Sequence, residues 1–136
     1  MDEEILRLLP HRPPMVLIDK VLEYSENSGK GLYKVKDDCP FLDSNQFFPD
    51  YILPECFAQT VGAVSGKNIV NKGQEVKESY LVGIKSFQIF QKVKNGDTLI
   101  TQVQEEAVLK NVYIFSGTIK RDNDIIAEGI LKFYLG

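Results

Sequence analysis

The sequence predicts an α+β fold in which one curved antiparallel sheet wraps around a single long central helix. Two observations carry this. Tyr51 to Val70 is the only long stretch of helical character after the N-terminal turn, and it is apolar on most sides. After Gly73 the pattern changes to strands, largely in period-two alternation, and stays so to the end of the chain. A length of 136 residues leaves room for one core, so residues 1–136 read as a single domain.

The elements follow in order. Residues 2–9 read as a short amphipathic helix whose acids lie in the first turn, where they suit the helix dipole. Pro10, Pro13 and Pro14 stop it and impose an extended connection. Met15 to Tyr24 and Leu32 to Val35 read as two strands joined by the turn-rich Ser25–Gly31 stretch, and Asp37 to Phe48 as a loop. The long helix carries Ile52, Leu53, Phe57, Val61 and Val64 on several sides, which predicts burial on most sides. Ala58, Gly62 and Gly66 recur every four residues and form a small-residue stripe that lets another backbone come close.

Beyond it, Tyr80, Val82 and Ile84 alternate, and the phase then flips to Phe87 and Ile89. That flip predicts a bulge near Lys85–Ser86. Asn95-Gly96-Asp97 is a hairpin turn into Leu99, Thr101 and Val103. Tyr113, Phe115 and Ile119 form the next strand, and Asp122-Asn123-Asp124 turns the chain into Ile125, Ala127, Leu131 and Phe133. One helix cannot cover six strands, so some apolar strand surface is expected in a subunit interface.

Composition narrows the function classes. The hydrophobic fraction of 43% describes a folded globular chain rather than a disordered one. No apolar run reaches the roughly 18–20 residues that cross a bilayer. Asp2, Glu3 and Glu4 have the wrong sign for a signal peptide, so a cytoplasmic location without membrane partners is expected. Cys39 and Cys56 lack metal-ligand spacing and His11 is the only histidine, so no metal or redox cofactor is implied. A net charge of -3 argues against nucleic acid as a partner. Lys85, Lys92 and Lys94 read as a solvated strand edge.

Glu55 stands out as the only acidic or basic side chain between Tyr51 and Gly66. Burying a carboxylate among apolar groups is costly unless it is paired or takes up a proton, which points to chemistry. The bland alternative is a first-turn acid that faces solvent and suits the dipole. Gln59 lies at i+4 and shares a face with Glu55, either orienting it, lining a site or simply packing. His11 reads as a structural histidine or a proton carrier. Cys56 reads as a small core residue, since no base stands beside it in the sequence.

Three stretches resemble the 3-hydroxyacyl-acyl-carrier-protein dehydratases of the hot-dog fold. Leu8-Leu9-Pro10-His11-Arg12-Pro13-Pro14-Met15 through Val21 resembles their opening segment. Glu55-Cys56-Phe57-Ala58-Gln59 resembles their Glu-x-x-Ala-Gln signature on the central helix. Gly83 to Phe87, followed by Val93 to Leu99, resembles the strand and turn that follow. The segment Phe47 to Glu55 is most similar to the divergent dehydratase-like proteins of aryl-polyene gene clusters, which include heterodimer-forming subunits.

The resemblance implies water elimination from a 3-hydroxyacyl thioester in a tunnel at a dimer interface. Glu55 then matches the catalytic acid of the helix, with Gln59 beside it. The backbone N–H groups of Asp50 and Tyr51 are candidates to hold the thioester oxygen, because a helix start offers free donors. Counting the motif back without a gap puts Phe41, a side chain without a proton to exchange, where the family has its catalytic histidine. Phe41 is therefore expected as a tunnel wall. His11 matches a different, structural histidine of the opening loop.

The expected partners are an acyl-carrier-protein or coenzyme A thioester and a second hot-dog chain, identical or different. A non-catalytic thioester-binding subunit and an acyl thioesterase with Glu55 as general base are the alternatives.

Overall fold

The computed structural model describes residues 3–76 and 79–135. The chain runs α1 (Glu3–Leu8), β1 (Lys20–Tyr24), β2 (Ser28–Lys34), β3 (Phe47–Phe48) and a 3-10 turn (Asp50–Ile52) into α2 (Leu53–Asn71). It continues through β4 (Ser79–Ile89), β5 (Val93–Lys94), β6 (Thr98–Leu109), β7 (Val112–Arg121) and β8 (Asp124–Leu135). Six strands build one sheet in the order β1-β2-β6-β7-β8-β4, antiparallel at every pairing. A separate ribbon pairs β3 with β5.

The long helix begins where Pro54 falls in its first turn, a place where no N–H is needed. It ends at Asn71, and just beyond it Gly73, with a φ of 76°, lets Gly73 and Gln74 donate back to the carbonyls of Val70 and Ile69. Phe57, Val61 and Val64 of α2 bury themselves against Val103, Phe115, Leu131 and Phe133 of the sheet. Glycine makes this closeness possible. A Cβ on Gly117 would stand 2.6 Å from the Phe57 ring, and one on Gly29 would stand 2.5 Å from Val64.

The small-residue stripe receives α1 and the residue after it. Gly62 faces Leu9, and Gly66 faces the side chain and carbonyl of Leu8. Ile5, Leu8 and Leu9 close a cluster with Ala63, and Lys67 reaches Glu4 at 2.9 Å. The N-terminal helix stops at Leu8, one residue short of the expected 2–9 span, and Asp2 lies outside the described residues.

Three expectations are corrected. The first strand is Lys20–Tyr24 and not Met15–Tyr24, because the backbone of Met15 and Leu17 bonds to a helix side chain instead of a strand. The second strand starts at Ser28, and the turn shrinks to Ser25–Ser28, closed by Ser25 N to Ser28 O at 2.8 Å. Gly29 and Gly31 are strand residues that make room for Val64 and Ile18. The burial of α2 also stops short of its ends, since Tyr51 just before it is 82% exposed and Val70 is 51% exposed.

Strand β4 carries the bulge expected at Lys85 and a second one at Val82. Together they put Leu81, Ile84 and Phe87 in register with Phe133, Leu131 and Gly129, on the face toward the helix. Leu81 and Ile84 remain well exposed even so.

Candidate functional site

Glu55 sits in the first turn of α2 and opens into a cavity of about 430 Å³. The floor is the helix, at Glu55, Ala58, Gln59 and Gly62. One wall is the opening segment around His11 and Arg12, and another is the β4 edge at Tyr80 and Leu81. The side chain of Glu55 is 42% exposed, so the expected buried carboxylate is instead a carboxylate at a cavity surface.

Its partners are held firmly. Gln59 is 2% exposed, and its side-chain oxygen accepts the Leu17 N–H at 2.6 Å. The amide nitrogen of Gln59 donates to Met15 O at 2.9 Å and to Glu55 Oε1 at 3.2 Å. His11 brings Nε2 to 3.3 Å from the same Oε1. The other ring nitrogen, Nδ1, is buried and meets no hydrogen-bond partner among the described residues. Helix and opening segment are thus stitched together around one carboxylate oxygen.

The remaining candidates lie elsewhere. Phe41 is partly buried and packs edge-on against Phe48, with centroids 6.4 Å apart, beside the cluster of Leu53, Cys56 and Val93. Asp50 and Tyr51 occupy the exposed turn before α2. None of the three lines the Glu55 cavity. Cys56 points into the core, where burial first and the neighbouring Glu55 charge second push its thiol well above the usual range. That makes it an inert core thiol.

Sequence reasoning missed Tyr80 and Leu81 as cavity walls and the backbone of Met15 and Leu17 as the anchor of Gln59. No local pattern carries these contacts, which span 42 and 44 residues. A larger groove of about 630 Å³ lies on the opposite face of the sheet, where amides and hydroxyls such as Gln88, Gln102, Gln104 and Thr118 mix with apolar residues such as Ile125 and Ile130. The strand alternation separates it from Glu55.

Known proteins match this chain in sequence and in fold. The model of the ApeP-like family, described as ApeP dehydratase, matches residues 3–135. The 3-hydroxyacyl-[acyl-carrier-protein] dehydratase FabZ of Cronobacter sakazakii is 32% identical over 136 residues, covering 95% of this chain and 88% of its own. FabZ of Streptococcus pneumoniae is 31% identical over 140 residues, covering 98% and 96%. The solved dehydratase heterocomplex ApeI:P from Xenorhabdus doucetiae superposes with a TM-score of 0.89 at 25% identity, over 97% of this chain and 90% of that one. A hypothetical thioesterase with coenzyme A from Streptococcus pneumoniae has a TM-score of 0.68 at 11% identity, over 86% and 84%, and shows the fold alone. A family model spanning nearly every residue and relatives above 30% identity along the whole chain lead to one statement: this hot-dog-fold chain belongs to the ApeP-like dehydratase family.

Proposed function

We propose that the chain is one subunit of a dehydratase acting on 3-hydroxyacyl thioesters borne by an acyl carrier protein, and that a second hot-dog chain supplies the base. The observation that carries this is Glu55 in a cavity walled by β4, an edge strand of the sheet. Leu81 and Ile84 leave apolar surface uncovered on the helix side of β4, beside the cavity. A partner strand added to β4 would cover that surface and bring its own residues to the cavity. The similar ApeI:P structure is a dehydratase heterocomplex, which supports a second chain as partner.

The chemistry balances across two subunits. The partner's histidine takes the C2 proton, and the electron pair passes through the enolate of the thioester. The C3–O bond then breaks, and the carboxyl of Glu55 gives its proton to the leaving hydroxyl, which departs as water. The histidine's proton returns to the carboxylate through solvent, and both groups are reset. The N–H groups of Asp50 and Tyr51 lie in the turn before α2, outside the Glu55 cavity of the single chain, and are the donors proposed for the enolate oxygen once a partner extends that cavity. Phe41 offers no base of its own.

The test is dehydration of a 3-hydroxyacyl carrier-protein thioester, followed as loss of one water by mass spectrometry. The chain alone is expected to be inactive, and a mixture with a histidine-bearing hot-dog subunit to turn over. Glu55→Gln in that mixture should lower the rate by about 10²–10⁴-fold, the range of general acid–base catalysis. An unchanged rate in Glu55→Gln would sink the reading. Running the same assay with the coenzyme A thioester decides the carrier.

A further inference from the structure

We propose that His11 is a positioning residue, held as the neutral Nε2–H tautomer, that occupies one oxygen of Glu55 and leaves Oε2 as the only oxygen able to exchange a proton. This rests on the function proposed above for Glu55.

The donor and acceptor roles follow from the backbone outward. The Leu17 N–H can only donate, so the Gln59 atom 2.6 Å away must be its oxygen. The Gln59 nitrogen then faces Met15 O and Glu55 Oε1 with both of its protons used. His11 Nδ1 is buried without a partner among the described residues. A proton there would be a buried donor with no acceptor, which is more costly than a bare lone pair on a weakly polar ring. The single proton of the neutral ring therefore sits on Nε2, which lies 3.3 Å from Glu55 Oε1.

Oε1 thus accepts a hydrogen bond from Gln59 and has His11 Nε2 3.3 Å away. A proton on Oε1 would confront both. Oε2 makes no hydrogen bond among the described residues, and it is the oxygen on which the exchangeable proton can rest. The same geometry removes His11 from the list of bases. Its basic lone pair is shut inside the fold, and its cavity-facing nitrogen already carries a proton.

The chain holds one histidine, so nitrogen NMR of the intact, tag-free protein labelled at histidine reads this ring alone. The expected spectrum at neutral pH has Nδ1 as a bare, pyridine-like nitrogen and Nε2 as N–H. A ring protonated on Nδ1, or on both nitrogens, overturns the proposal. This readout needs no turnover, so it stands apart from any failure of the dehydratase assay.

Variants in the partner-reconstituted enzyme give a second readout. His11→Gln restores an N–H near the Nε2 position and is expected to keep kcat within about threefold. His11→Leu is expected to lose about tenfold in kcat at constant KM. Equal losses in the two variants, or a loss confined to KM, would overturn the assignment.

Discussion

Gln59 does more for this fold than its side chain suggests from the sequence. Its oxygen satisfies a buried backbone N–H at 2.6 Å, and its nitrogen joins Met15 O to Glu55. Gln59→Leu should therefore destabilise the protein by about 1–3 kcal/mol, the cost of a buried backbone donor left unpaired, read as a lower urea midpoint. An unchanged midpoint would mean that the 15–17 segment finds another partner. Cys56 makes the opposite case, a reactive residue type that is inert here. Its raised thiol stays protonated in the native state, chiefly through burial and then through the Glu55 charge. Iodoacetamide at about pH 8 should label the half-buried Cys39 and spare Cys56 until urea unfolds the chain. The sign for stability follows from the same shift. Its contribution is complete below the unfolded thiol value of 9.0 and is lost as pH rises beyond it.

The helix and the sheet meet through glycines, and their substitution separates packing from backbone effects. A Cβ on Gly117 would fall 2.5 Å from Gln102 O and 2.6 Å from the Phe57 ring, and neither the strand nor the buried ring can give way freely. Gly117→Ala should cost about 1–3 kcal/mol through overpacking. At Gly83 the nearest atom is the flexible Lys132 Cδ at 3.8 Å, so Gly83→Ala should change stability by no more than about 0.5 kcal/mol. Thermal unfolding of the pair checks the contrast. Much at this level could be read directly from the residues: α2, the Asn95–Gly96 turn with Gly96 at φ 92°, and the bulge at Lys85. The glycines at 29 and 31 misled, because a glycine in a turn and a glycine under a helix look the same in sequence.

Among the described residues the six-stranded sheet has two edges, β1 and β4, and β4 carries the longer run of exposed apolar side chains. Strand β4 ends the sheet with Tyr80, Leu81, Val82 and Ile84 exposed. A long apolar edge invites pairing with another chain. Ile84→Lys should shift the assembled protein toward monomers in sedimentation velocity. It should barely move the stability of the separated chain, because the side chain is already 50% exposed there. An assembly that survives the lysine unchanged would place the interface elsewhere.

The sequence by itself determined the fold class, the long helix, the order of the strands along the chain and the pairing of Glu55 with Gln59 one turn apart. These depend on short periods and local turn chemistry, which a single chain displays residue by residue. The hairpin expected at Asn95-Gly96-Asp97 is instead a turn between strands that do not pair with each other, since β5 pairs with β3 and β6 with β2 and β7. Tertiary structure alone decided that His11 reaches Glu55 across 44 positions, that Met15 and Leu17 spend their backbone bonds on Gln59, and that Leu81 and Ile84 face the helix yet stay uncovered. Each of these depends on contacts between segments far apart in the chain. Two bulges in one strand and one buried amide set those distances, and no local pattern records them.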